Sequence, residues 1–168
     1  MPEEFEGPEG PENLDQPPSF FPYSGQLPEG ETRDLGELVE VHIQGVFAAD
    51  NEQSKSLFVL VSDGDRKLPI VIGPFEAQAI SLPLENAQPD RPMTHDLIRN
   101  LLDRLAATVE RVVIDDLWNG IYYAKLYVKR GKEEFEIDAR PSDAIALAVR
   151  FDAPVFVADG ILEAGSEE

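Results

Sequence analysis

Cysteine is absent from this 168-residue chain, so disulfides and cysteine-pair metal sites are excluded. There is no apolar signal-peptide core near Met1, and no apolar run approaches the roughly 18 residues of a membrane helix. No Asn-x-Ser/Thr acceptor occurs either. These absences predict a soluble protein of a reducing compartment, the cytoplasm by default, with no membrane partner. Bases are the other scarcity: 14 Lys and Arg stand against 33 Asp and Glu, a formal charge of -19. Affinity for a phosphate backbone comes from cations that release counterions, so a protein that coats duplex is excluded. A small cationic site or a bound divalent ion could still handle a phosphate locally. The acid excess also fits a high-salt cytosol, in which added salt would raise stability. HExxH and glycine-rich phosphate loops are missing as well.

What is present is unevenly spread. Residues 1–34 hold nine acids and one base and are rich in Pro, Gly and Glu, with one aromatic island at Phe20, Phe21 and Tyr23. This composition predicts a disordered acidic tail before a domain over 35–164, with a frayed C-terminus at 165–168. Leu38 to Phe47 alternates at period two, with Leu38 or Val39, Val41, Ile43 and then Val46 inward, and reads as a half-buried strand. His42 falls on its polar side and reads as a surface residue. Leu57–Val61 and Lys67–Ile72 flank the turn residues SDGDRK and form a hairpin. Gly73-Pro74 launches a helix in which Phe75, Ala79 and Leu82 share a face, ended or bent by Pro83. A second helix starts at Thr94 as N-cap, with Ile98, Leu101, Leu102 and Leu105 as its buried stripe. Val109–Trp118 and Ile121–Lys129 surround Asn119-Gly120, a strong hairpin signal. A further turn at Arg130-Gly131 returns the chain along Glu133–Asp138. Asp115 and Asp116, just before the Asn-Gly turn, are weak metal candidates that read better as structural.

The chain's strongest signal is Ile137–Arg150, IDARPSDAIALAVR. Pro141 suits the first helical position, and Ser142 and Asp143 can accept hydrogen bonds from unpaired first-turn amides. The following run AIALAV has no polar side, so this helix is expected to be packed by more than one neighbour. A short strand, Pro154–Val157, follows. The elements add up to an α+β domain: a mostly antiparallel sheet of six to seven strands packed with about three helices.

Four segments in order, LPIVIGPFEAQAI, RPMTHDLIRNLLDRL, NGIYYAKLYV and IDARPSDAIALAVR, together resemble the bifunctional nuclease domain family. The resemblance spans roughly Leu38 to Ala164. It implies an α+β domain that hydrolyses both RNA and DNA and associates into a homo-oligomer.

The residues point to a site independently. Phosphodiester hydrolysis needs an activated water, compensation of transition-state charge and an acid for the leaving group. Glu76, His95, Asp96, Asp138, Arg140 and Asp143 all lie at or just before helix starts. If those starts converge, the groups line one cleft. In the catalytic version Asp138, Asp143 and Glu76 or Asp96 hold a divalent ion such as Mg or Mn. His95 is then the general acid or base, Arg140 clamps the phosphate, and Arg91 assists substrate binding. Given the charge, single-stranded or short nucleic acid suits such a site better than long duplex. In the structural version Asp96 and Asp143 only cap helices, Arg140 only bridges Glu76 or Asp138, and His95 only hydrogen-bonds a carbonyl. The domain is then a non-catalytic ligand-binding or regulatory oligomer, or an interaction module.

Overall fold

Seven strands and four helices form among residues 34–51 and 54–166, which the computed structural model describes. The tail expected over 1–34, aromatic island included, lies outside the described residues except for Asp34. β1 (Leu38–Asn51), β2 (Ser54–Ser62) and β3 (Lys67–Ile72) form an antiparallel meander. The inward residues of β1 step by two to Ile43 and then by three to Val46. A register shift between Ile43 and Gly45, with Gly45 at φ +142, explains the step. One extra residue in a bulge moves the inward parity by one.

β4 (Ala107–Trp118) and β5 (Ile121–Arg130) close on Asn119 and Gly120, both at positive φ (50 and 75) as a tight hairpin turn demands. β6 (Glu133–Ala139) adds antiparallel to β5. β7 (Val155–Ala158) then inserts between β1 and β4, antiparallel to the first and parallel to the second. The order is β3-β2-β1-β7-β4-β5-β6, a mostly antiparallel α+β sheet as expected.

The helices are α1 (Pro74–Leu84), α2 (Thr94–Arg104), α3 (Pro141–Phe151) and α4 (Asp159–Ser166). Helix α3 is central. Ala144, Ile145, Ala146, Leu147 and Ala148 are all buried, packed with Val112, Ile114, Ala124 and Leu126 of the sheet in one core. The unbroken apolar run of its sequence is therefore matched by neighbours on several sides.

All but one of the helices depart from expectation. Phe75 is 81% exposed, and α1 buries Ala77, Ala79 and Ile80 instead; Pro83 lies inside the helix without ending it. Helix α2 buries no residue fully: Ile98 and Leu102 pack on the core, while Leu97, Leu101 and Leu105 stay exposed. Its N-cap is Met93, one residue before Thr94. Helix α4 was not anticipated, because Gly160 and Gly165 weaken its helical pattern. Gly160 permits a close approach to the chain at Leu35, whose carbonyl accepts the Gly160 N–H at 2.7 Å.

Candidate active site

Three helices begin within reach of one another. Arg140, the N-cap of α3, donates from Nε to Asp143 Oδ2 at 2.8 Å and from Nη2 to Asp143 Oδ1 at 3.2 Å. Its Nη1 donates to Glu76 Oε1, in the first turn of α1, at 3.2 Å. Asp143 Oδ1 also meets His95 Nε2, from the first turn of α2, at 2.9 Å. Asp143 is thus the centre of a cluster drawn from three helix starts.

Burial alone would raise the Asp143 carboxyl, but hydrogen bonds from Arg140 and His95 outweigh it and hold the group below the usual carboxylate range. The Arg140 guanidinium is raised in turn, chiefly by its hydrogen bond to Asp143. An ionised carboxylate only accepts. The His95 nitrogen facing it, Nε2, therefore carries the hydrogen of that bond.

The next residue of α2 takes a different partner. Asp96 Oδ1 accepts from Arg150 Nε at 2.7 Å and Oδ2 from the Met93 N–H at 2.9 Å. Arg150 also donates through Nη1 to Ala79 O at 2.7 Å and Ala146 O at 2.8 Å. One buried guanidinium thereby ties α1, α2 and α3 together and fixes the turn that carries His95. Burial works against ionisation of Asp96, yet the donors of Arg150 and Met93 leave its pKa lowered.

Beside Glu76 and Arg140 opens a groove of about 290 Å³. Val71 and Ile72 of β3, Ile121 and Tyr122 of β5, and Ser142 of α3 line it.

A family model described as the bifunctional nuclease domain matches residues 58–168, which contain every member of the cluster. The chain belongs to the bifunctional nuclease domain family. An uncharacterized protein of Mycobacterium tuberculosis is 39% identical over 123 residues, 73% of each chain. Bifunctional nuclease 1 of Oryza sativa subsp. indica is 30% identical over 112 residues, 64% of this chain and 34% of the rice protein. Bifunctional nuclease 1 of Arabidopsis thaliana is 28% identical over 131 residues, 74% of this chain and 40% of its own. The chain thus spans well under half the length of these plant nucleases.

Within this bifunctional nuclease domain, Glu76, His95, Arg140 and Asp143 come together, whereas two expected partners do not. Asp138 stands opposite Lys125 in the β5–β6 register. Lys125 lies between the core residues Ala124 and Leu126, so alternation puts it and Asp138 on the face turned away from α3. There Lys125 Nζ donates to Asp115 Oδ2 at 2.8 Å, which gives Asp115 a structural role, and Asp116 accepts from the Leu117 N–H. Asp96 is the second departure, since both of its oxygens serve Arg150 and the α2 N-cap.

The ligand set expected for Mg or Mn, Glu76, Asp96, Asp138 and Asp143, is therefore not assembled. Glu76 and Asp143 neutralise Arg140, and among the described residues no three His, Asp or Glu side chains gather as an ion would need. The residues as placed do not fit a divalent centre. Arg91 is exposed just before α2 and makes no ion pair among the described residues. His42 is exposed on β1, as expected.

Two participants escaped the sequence reading. In the sequence Arg150 reads only as the basic end of an apolar helix, and Ser142 reads as a capping residue. Neither Ser142 nor Asp143 caps α3, whose N-cap side chain, that of Arg140, makes no capping bond to the first-turn amides either.

Proposed function

We propose that this chain is a low-specificity nuclease that hydrolyses phosphodiester bonds of RNA and DNA at the Glu76–Arg140–Asp143–His95 cluster. The observation that carries the reading is the meeting of these four residues, from three separate helix starts, beside an open groove in a chain of this family. Arg140, its side chain 65% exposed, offers its guanidinium to the phosphate. His95 takes the proton of the attacking water on Nδ1 while Asp143 holds Nε2–H and stabilises the imidazolium that forms; as the new P–O bond is made, the bond from phosphorus to the departing sugar oxygen breaks, and that oxygen takes its proton from solvent. Substrates are single-stranded or short, since an acidic chain with few bases cannot neutralise a long duplex. Mg or Mn enters this proposal only as an ion recruited with the substrate, because the carboxylates here are committed to Arg140.

Digestion of single-stranded RNA and DNA by purified protein tests this. His95→Ala and Asp143→Asn should each lower kcat by about 100-fold or more. Both variants cutting at the wild-type rate would sink the assignment. Assays with Mg, Mn and chelator belong beside them: loss with chelator but not with substitution identifies a contaminating nuclease.

One observation favours a second reading. Three donor groups of Arg140 are already used on Glu76 and Asp143, as in a closed structural network of a ligand-binding or regulatory module. Under that reading carefully purified protein cuts neither substrate, and Asp143→Asn changes stability alone.

Self-association is part of the proposal. Leu97 and Leu101 of α2 and Leu105 at its C-cap, at 54%, 54% and 60% exposure, follow one another at a spacing of four residues. Light scattering should show an oligomer that Leu101→Glu dissociates; a wild-type monomer mass would rule this out.

A further inference from the structure

We propose that the groove beside Arg140 is a subsite for one unpaired nucleotide, so that the enzyme acts on single strands and free ends. The inference rests on the nuclease reading for its ligand class, but its test does not depend on catalysis.

Ser142 carries the argument. The residue is only 8% exposed, and among the described residues nothing hydrogen-bonds its hydroxyl. Buried hydroxyls are paired as a rule. No fully enclosed side-chain polar atom of the described residues lacks a partner, so the Ser142 oxygen must retain some exposure. Ser142 lines the groove, and the hydroxyl is therefore offered to whatever enters it.

The surroundings suit a nucleotide. Helices α1 and α3, 11 residues each, both start at this groove, and neither has its first-turn amides capped by the side chain of its N-cap residue. Their first-turn amides have no partners within the helix and favour an anion. Arg140 stands at the mouth, and a phosphate arriving there displaces Glu76 from Nη1 while Asp143 keeps its two bonds. The opposite wall is apolar: Val71 is 76% and Ile121 58% exposed, with Tyr122 beside them. Such a surface accepts the flat face of any base without reading its edges.

Size sets the limit. About 290 Å³ lies at the lower edge of small-ligand pockets, roughly 300 Å³, which is room for one nucleotide. A base inside a duplex would first have to leave its stack, a cost that a single strand largely avoids.

Calorimetric titration of the full chain with AMP, and with a pentanucleotide both single-stranded and paired, tests this. AMP should bind at sub-millimolar concentration. Ser142→Ala should weaken it about tenfold without lowering the melting temperature, and Ile121→Ser, at an exposed position, should weaken it as well. The single strand should compete for AMP better than the duplex. The subsite is overturned if wild type binds no AMP at millimolar concentration, if both variants bind as wild type does, or if the duplex competes equally. AMP binding that depends on Ser142, in carefully purified protein that cuts neither RNA nor DNA, would instead overturn the nuclease reading and leave the subsite standing.

Discussion

Glu76, Asp96 and Asp143 occupy the same position, third in their helices, and their sequence context treats them alike. An acid there ordinarily returns to the N-cap amide. Only Asp96 does so, on Met93, and its other oxygen meets buried Arg150. Glu76 and Asp143 turn to Arg140 instead, which is why those two belong to the candidate site and Asp96 to its support. Asp96→Asn leaves the Arg150 guanidinium, its side chain 4% exposed, without its charge partner. We expect a loss of about 3 kcal/mol in urea unfolding, the lower end for breaking a buried pair, because Asp96 keeps partial exposure. Its pH dependence has a definite sign. Asp96 and Asp143 have folded pKa values lowered from the ordinary aspartate value, so folding is favoured by their ionisation. That stability is fully present above about pH 4, near the unfolded value, and is lost as pH falls through the depressed folded values. Urea midpoints should hold from pH 7 to 5 as far as these groups act, and drop toward pH 3. Asp96→Asn should show a shallower drop; a drop as steep as wild type would refute the coupling.

At the scale of elements, much could be read from the chain. The Asn119-Gly120 hairpin, the meander into β6 and the all-round burial of α3 each follow from turn chemistry or periodicity. What failed was the extent to which neighbours cover a helix. Apolar spacing says that α1 and α2 have buried sides, but Phe75, Leu101 and Leu105 show that spacing does not report where the partner surface ends. The placement of Asp138 was countable. The short turn at Gly131 sets Arg130 opposite Glu133, and alternation from that pair puts Asp138 with Lys125, away from the core side. Arg150 was hidden for a different reason: its partners Asp96 and Ala79 are distant in sequence, and nothing local marks them. Two substitutions measure the contrast. Ile145→Ala, at a fully buried position in α3, should cost about 2–5 kcal/mol through lost transfer energy and the cavity left. Phe75→Ala, at 81% exposure, should change stability by no more than about 0.5 kcal/mol despite the larger side chain. Equal losses would mean that α1 packs by the face its spacing suggested.

Over the whole molecule the governing quantity is charge. Many of the bases are committed: Arg66 bridges Asp63 and Asp159, Arg111 holds Glu110 and Glu134, Lys125 holds Asp115, and Arg140 and Arg150 serve the helix starts. With 14 bases against 33 acids the chain keeps a net charge of -19, and that surplus repels itself in any compact state. Salt acts on both populations. It weakens exposed ion pairs, each contributing about 0–1 kcal/mol, and it screens the longer-range repulsion among unpaired acids. The net charge of -19 makes the repulsive part the heavier one, and repulsion reaching beyond about 10 Å at 0.1 M is cut to about 3 Å at 1 M. Stability should therefore rise as NaCl goes from 0.1 to 1 M, read as an upward shift of the urea midpoint at pH 7. Sodium chloride is the salt to use, because sulfate would strengthen apolar burial by itself and confuse the sign. A midpoint that stays or falls would mean that the paired network, and not the unpaired acid excess, sets the electrostatics of this fold.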